Sequence, residues 1–315
     1  MDREKLKEFI AFLKPKTEVK SEELLEKDFV VNVILSGLKN GGYSLKGGTC
    51  LSKAYLDYHR ISEDLDFTFI DQDLFIGKTT KLVKRICSEK ITALGKKLDE
   101  ISKKYDFDFK PIKSDKKYIE IGSNNKLATF KVWYRSAFTG MDSFVKVQVT
   151  FVESLNFPIT ERTMAPLVDS TSFAETDKKY FEEFATFYKP VKCLTYDVRE
   201  IACEKVRALL TRMGAKTRDI ADLYFIEKRR GVKIDGLKDV CVGKVVFAID
   251  NYRKYRENFE RWSRTGLSER DFPAREIAHL VLADVGREDF DEFLTQFLPF
   301  LGEVGRSVAV KTVRG

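Results

Sequence analysis

Histidine is almost missing: His59 and His279 are the only two in 315 residues. That excludes a histidine-rich metal centre. The five cysteines (Cys50, Cys87, Cys193, Cys203 and Cys241) form no Cys-x-x-Cys pair, and their number is odd. This argues against a disulfide framework or a zinc knuckle and points to a reducing, cytoplasmic setting. No apolar run approaches the length of a membrane span. Met1-Asp2-Arg3-Glu4-Lys5 lacks the form of a secretory signal, so no membrane partner is expected. Internal repeats and low-complexity tracts are absent as well. What is present describes a globular chain, with 43% hydrophobic and 33% charged side chains. Its length allows one or two domains. The formal charge of +7 favours an anionic partner such as RNA, DNA or a nucleotide.

The densest chemistry lies between Leu45 and Ile70. Lys46-Gly47-Gly48-Thr49-Cys50-Leu51-Ser52-Lys53-Ala54-Tyr55 is followed by Arg60-Ile61-Ser62-Glu63-Asp64-Leu65-Asp66-Phe67-Thr68-Phe69. Asp64, Asp66 and Thr68 alternate with Leu65, Phe67 and Phe69, the period of a strand with one apolar face. Both carboxylates then stand on the other face. Like charges that close repel unless a cation lies between them, and a divalent magnesium or manganese ion meets that need. Gly47-Gly48-Thr49 allows backbone amides to approach a phosphate, and a helix N-terminus just after it adds a favourable dipole. Lys46, Arg60 and Ser62 flank the stretch and are candidate phosphate contacts.

This Gly-Gly-Thr block, with Arg-x-Ser-Glu-Asp-Leu-Asp after it, resembles the AbiEii/AbiGii-type toxin nucleotidyltransferases, a branch of the polymerase-β-like nucleotidyltransferase superfamily. A second block is similar to that family's downstream motifs and comes in the same order: Glu200-Ile201-Ala202-Cys203-Glu204-Lys205, then Arg212, then Arg218-Asp219-Ile220-Ala221-Asp222-Leu223. The resemblance spans about the first two-thirds of the chain. It implies an α+β fold: a polymerase-β-like nucleotidyltransferase domain with a mixed sheet over 1–195, and a helical C-terminal domain over 196–315 that completes the active-site cleft. It also implies that Lys205 neutralises triphosphate charge and stabilises the departing pyrophosphate. Asp219 and Asp222, three residues apart, share a helix face. They either favour the helix dipole or hold Lys205 or Arg212 in place, and Asp219 is also a candidate base for the acceptor hydroxyl.

The rest of the chain supplies context. Helices are expected over 1–14, with Leu6, Phe9, Ile10 and Leu13 as its stripe, and over 21–39, capped by Ser21. Tyr43 to Lys46 is a short strand. A lysine-laden helix over about 79–104 packs Leu82, Ile86, Ile91, Leu94, Leu98 and Ile101 inward. Period-two patterning then predicts strands at 107–110, 118–121, 127–134 and 144–152. On the last, Lys146, Gln148 and Thr150 oppose Val145, Val147 and Val149. The superfamily resemblance puts a third acidic residue where Gln148 stands, beside the aspartate pair, with Glu153, Glu120 or a shifted register as substitutes. Lys146 and Gln148 are candidate nucleotide contacts. Residues 154–195 read as irregular, apart from a short helix over 178–187. Helices are expected over 197–213, 217–229, 238–262, 272–285 and 288–301. On the first, Ala202, Val206, Leu209, Leu210 and Met213 form the apolar arc, with Lys205 and Arg212 at its border. Tyr252-Arg253-Lys254-Tyr255-Arg256, with Arg261 and Trp262, reads either as a packed surface helix or as an RNA contact.

The expectation is a metal-dependent nucleotidyltransferase. Asp64 and Asp66 hold magnesium or manganese, and a nucleoside triphosphate is the donor. An RNA hydroxyl (tRNA among the candidates) or a protein hydroxyl is the acceptor. The family resemblance implies a toxin of a toxin–antitoxin or phage-defence pair, with a cognate antitoxin protein. Two rivals are a non-catalytic nucleotide-binding module that acts through a protein partner, and a nuclease using Asp64 and Asp66. The nuclease leaves the glycine turn without a purpose.

Overall fold

The structure, a computed structural model, describes residues 1–39, 41–213, 217–266, 281–283 and 285–313. The chain forms two compact units: Met1–Asp57, Ile61–Val152 and Ile159–Thr195 make one, and Tyr58–Arg60, Glu153–Pro158 and Tyr196–Gly315 the other.

The first unit is built on a mixed seven-stranded sheet. Its strands are β1 (Tyr43–Lys46), β2 (Leu65–Phe69), β3 (Ile119–Gly122), β4 (Leu127–Arg135), β5 (Asp142–Thr150), β6 (Thr160–Met164) and β7 (Val191–Thr195), in the order β3-β4-β5-β2-β1-β7-β6. β2/β5 and β1/β7 are parallel and the remaining neighbours antiparallel. Alternation does what the sequence pattern requires: Leu65, Phe67, Val145, Val147 and Val149 are buried. Helices α2 (Glu22–Leu38) and α4 (Thr80–Tyr105) pack with β5 and β4 respectively, and α3 (Gly47–Ala54) packs against β1 and β2. α1 (Arg3–Leu13) buries its four-residue stripe, and Phe9 meets Phe181, Phe184 and Tyr188. Ser21 caps α2, its hydroxyl accepting from Leu24 N at 3.2 Å.

Several expectations change in this unit. In the first turns of α4 the buried residues are Val83 and Cys87, whereas Leu82 and Ile86 are half-buried, so the packed stripe is shifted by one residue. The strand expected at 107–110 reduces to one bridge, Asp108 to Trp133; Pro111, which has no N–H, follows it. Residues 154–195 are not irregular, since they contain β6, β7 and the short helices α5 (Glu175–Tyr180) and α6 (Glu182–Ala185). β6 escaped notice because it is a polar edge strand, Thr-Glu-Arg-Thr-Met, with only Met164 buried.

The second unit is helical: α7 (Val198–Thr211), α8 (Thr217–Arg230), α9 (Lys238–Asn251), α10 (Arg253–Thr265) and α11 (Arg287–Val313). The helix expected over 238–262 breaks at Tyr252, whose backbone is extended (φ −132°, ψ 100°). The one expected over 272–285 falls almost wholly outside the described residues, and the one over 288–301 runs on to Val313. α7 has no exposed face: every residue from Glu200 to Thr211 is buried. Lys205 is therefore inside the packing rather than at its border. Met213, expected in the apolar arc, lies beyond the helix and is exposed.

Candidate active site

In the sheet unit the chain leaves β1 through Gly47, whose φ of +69° suits glycine. A Cβ there would lie 2.5 Å from Asp66 Oδ2, so the carboxylate packs directly against the glycine backbone. α3 starts at Gly47 with Lys46 as N-cap, and the Lys46 side chain makes no capping hydrogen bond to its first amides. Those amides and the helix dipole favour an anion. Thr49 Oγ1 donates to the Asp64 carbonyl at 2.5 Å, which ties the helix start to the approach of β2. Asp64 sits one residue before β2, and Asp66 on it; both are half-buried while Leu65 and Phe67 beside them are buried. In register, Asp66 stands between Lys46 on β1 and Gln148 on β5. Gln148 thus occupies the position beside the acidic strand. Lys146 lies one step along β5 on the same face, opposite Lys131 of β4. Ser62 is half-buried in the link that leads to Asp64.

A residue that sequence reasoning passed over anchors this half. Lys53, at the end of α3, is buried and donates to Asp28 Oδ1 at 2.7 Å and Asn32 Oδ1 at 2.8 Å, both on α2. Burial lowers its pKa while Asp28 opposes that shift. The signal for this pair was Asp28 itself, a charge at the head of the Phe29–Leu35 run, which is apolar except for Asn32.

In the helical unit Asp222 is fully buried and lies at the centre of a network. Arg60 grips it with two bonds, Nε to Oδ1 at 2.7 Å and NH2 to Oδ2 at 2.8 Å. His59 Nε2 is 2.8 Å from Oδ1, and Lys205 Nζ is 2.6 Å from Oδ2. Lys205 also donates to Asp219 Oδ1 at 2.7 Å, and Arg212, just past α7, reaches Asp219 more loosely at 3.8 Å. Burial works to raise the Asp222 carboxyl, but Arg60 and Lys205 with the hydrogen bonds from Arg60 and His59 hold it well below the usual range. Asp219 is lowered in the same way: burial is outweighed by Lys205 and Arg212. Burial likewise works to lower Lys205, but the two aspartates keep it raised and charged. For His59 burial wins and the ring is held neutral, its Nδ1 buried without a partner in the structure. The His59 carbonyl accepts from Leu282 N and Ala283 N. Asp57 and Tyr58, just before it, have positive φ, a conformation that costs non-glycine residues about 1–2 kcal/mol each.

Lys46, Gly47, Gly48, Thr49, Ser62, Asp64, Asp66, Lys146 and Gln148 thus belong to the sheet unit, and Arg60, Lys205, Arg212, Asp219 and Asp222 to the helical one. The substitutes for a third acid are engaged elsewhere. Glu120 is on edge strand β3 and accepts from Lys131 at 2.5 Å; Glu153 faces Lys244 at 3.7 Å. Among the described residues no group of three His, Cys, Asp or Glu side chains is placed to hold a metal ion. Two carboxylates with an amide alongside fit magnesium, which keeps several waters and takes one or two protein carboxylates plus substrate phosphates.

Comparison with known proteins gives the family. A family model described as "Nucleotidyl transferase AbiEii toxin, Type IV TA system" matches residues 36–310. No curated protein matches the chain. Among solved structures, JHP933 from Helicobacter pylori is similar over 93% of this chain and 97% of its own, at 16% identity and a TM-score of 0.40. A candidate nucleotidyltransferase from H. pylori is similar over 93% and 98%, at 15% identity and a TM-score of 0.41.

Proposed function

This chain belongs to the nucleotidyl transferase AbiEii toxin family of type IV toxin–antitoxin systems, and we propose that it transfers a nucleotide from a magnesium- or manganese-bound nucleoside triphosphate to an RNA hydroxyl. The observation that carries this reading is the meeting of the α3 N-terminus, the left-handed Gly47 and the Asp66 carboxylate packed against it. Asp64 and Asp66 are the residues that would hold the cation. When bound, the cation would neutralise phosphate charge and polarise the α-phosphate.

The chain's own groups do the rest. The amides after Gly47 receive phosphate oxygens, and Lys46 and Lys146 add positive charge along the same face. Gln148 orients the donor through its amide. Lys205, kept charged by Asp219 and Asp222, steadies the leaving pyrophosphate. Arg60 acts as a positioning residue: its guanidinium is engaged by Asp222, which in turn aims Lys205. In this reading residues 1–195 serve as the nucleotidyltransferase domain, and the helical domain that follows completes the site. The net charge of +7 suits an RNA acceptor, and the family reading brings a cognate antitoxin.

The test is incubation with each α-labelled triphosphate and total RNA. The reading expects label joined to one RNA class, tRNA among the candidates, with stoichiometric pyrophosphate. Label on protein instead would overturn the acceptor assignment, and no pyrophosphate with any triphosphate would overturn the reaction.

A further inference from the structure

The sheet unit carries a second concave site that the reaction above does not use. A cavity of about 450 Å³ opens between the C-terminal end of α2, the middle of α4 and the outer ends of β1 and β2. That volume lies within the range of small-molecule pockets. Its floor is Tyr43 and Phe69, paired across β1 and β2 and meeting edge to face with centroids 5.8 Å apart. Leu38 and Leu94 extend the apolar wall. Among the described residues three cations, Lys39, Lys90 and Lys97, line the same space, and no acidic side chain does. Lys90 lies over the Phe69 ring, its Nζ 4.6 Å from the centroid. Lys97 is held only by a loose, exposed pair with Glu100 at 3.5 Å, a contact of small energetic weight.

Strand parity separates this cavity from the candidate active site. Asp66 and Phe69 are three residues apart on β2, so their side chains point to opposite faces of the sheet. Tyr43 and Lys46 are divided in the same way on β1. Nothing bound over Tyr43 and Phe69 can therefore take part in the reaction at Asp66, although both places share the same two strands.

We propose that this cavity is a binding site for a mononucleotide that is not itself a substrate. The half-buried Tyr43 ring offers a planar base a face, and flexible ammonium groups at the rim accept a phosphate. Size, ring and charge together select this ligand class: inorganic phosphate cannot use the floor, and a nucleoside leaves the lysines unanswered. Free nucleotide is the source to which the proposal commits, because a cavity of this volume holds one nucleotide and no longer strand.

Equilibrium binding of the four nucleoside 5′-monophosphates to the full chain, measured by calorimetry at low salt, tests this. The same titrations are run with adenosine and with inorganic phosphate, on wild type and on Asp66→Asn. At least one monophosphate should bind both proteins equally, and at least about tenfold more tightly than adenosine or phosphate, the loss expected when one half of a joint contact is removed. A Lys90→Met/Lys97→Met variant keeps both stems on the surface, so its fold is preserved, and it should weaken that binding about tenfold or more. Saturable binding that disappears in Asp66→Asn would place the nucleotide at the other face and overturn the proposal. Phosphate binding as tightly as the monophosphate, undiminished binding by the double variant, or no binding of any monophosphate would overturn it too. These outcomes do not depend on turnover, so they stand apart from the success or failure of the transferase reading.

Discussion

Asp66 and Asp222 are the same side chain in opposite circumstances. Asp222 is sealed from solvent, gripped by Arg60, His59 and Lys205, and driven far below its ordinary pKa. Asp66 is half-buried on β2, pressed against a glycine turn at the start of a helix. A buried charge that has its full set of partners is a fixed structural element, and removing it strands the others. A half-buried carboxylate at a helix start can exchange partners, which is what substrate and cation binding demand. The difference separates Asp222, which fixes the helical network, from Asp66, which is placed to meet a ligand.

The largest effect should come from breaking the sealed side. Asp222→Ala removes the buried carboxylate that Arg60, His59 and Lys205 share and leaves Lys205 with Asp219, at a cost of about 3–5 kcal/mol. Thermal or denaturant unfolding should show a large drop, with activity lost alongside the fold. An unchanged midpoint would contradict the comparison. Asp66→Asn should do the reverse. Turnover falls about a thousandfold, near 4 kcal/mol of transition-state stabilisation, while the melt stays close to wild type. A normal melt with full turnover would remove Asp66 from the cation site. Gly47→Ala comes next, since it places a residue with a Cβ at φ +69° and within 2.5 Å of Asp66 Oδ2. A destabilisation of at least about 1–2 kcal/mol is expected together with weaker triphosphate binding. Wild-type behaviour would mean that the turn is free to relax.

Acidification sharpens the same contrast. His59 is held neutral by burial, so the unfolded chain takes up its proton first and stability falls as pH drops below about 6.5. Asp222 acts lower. Its depressed pKa contributes stability that is complete above about pH 4 and is lost as pH falls towards the native value. Unfolding midpoints measured against pH should therefore decline in two stages, and His59→Asn should remove the upper one. A single stage in wild type would contradict the assignment of His59. The smallest change is Gln148→Glu. It adds a carboxylate at the register position of Asp66 and should alter the metal dependence of turnover by about tenfold or less, with little change in the melt.

How much of this was legible beforehand follows from the range of the interactions. β1 and the cap at Ser21 are local, and turn chemistry with periodicity marks them out in the sequence. Gln148 beside Asp66 was legible through the family resemblance; alternation fixed its face, and the register itself stayed open until the strands were paired. β6 and β7 were not legible. Their side chains alternate weakly, and pairing with a distant partner defines them. Lys205 looked like a border cation on α7 because periodicity counts one helix at a time. Only the packed unit reveals that α7 is enclosed all round and that its lysine is doubly paired. Arg60 looked like a phosphate contact for the same reason, since its partner Asp222 is 162 residues away in the chain.

The proposal that Asp66 and Lys205 serve one transition state is tested most directly by a double-mutant cycle in pyrophosphate release. Asp66→Asn, Lys205→Met and the double variant are compared by kcat/KM, each at a temperature well below its own melt. If both groups act on one triphosphate, the double variant should lose little more than the worse single, as groups acting as a unit do. Losses that multiply, or a single variant with wild-type kcat/KM, would show that the two residues do not share a site.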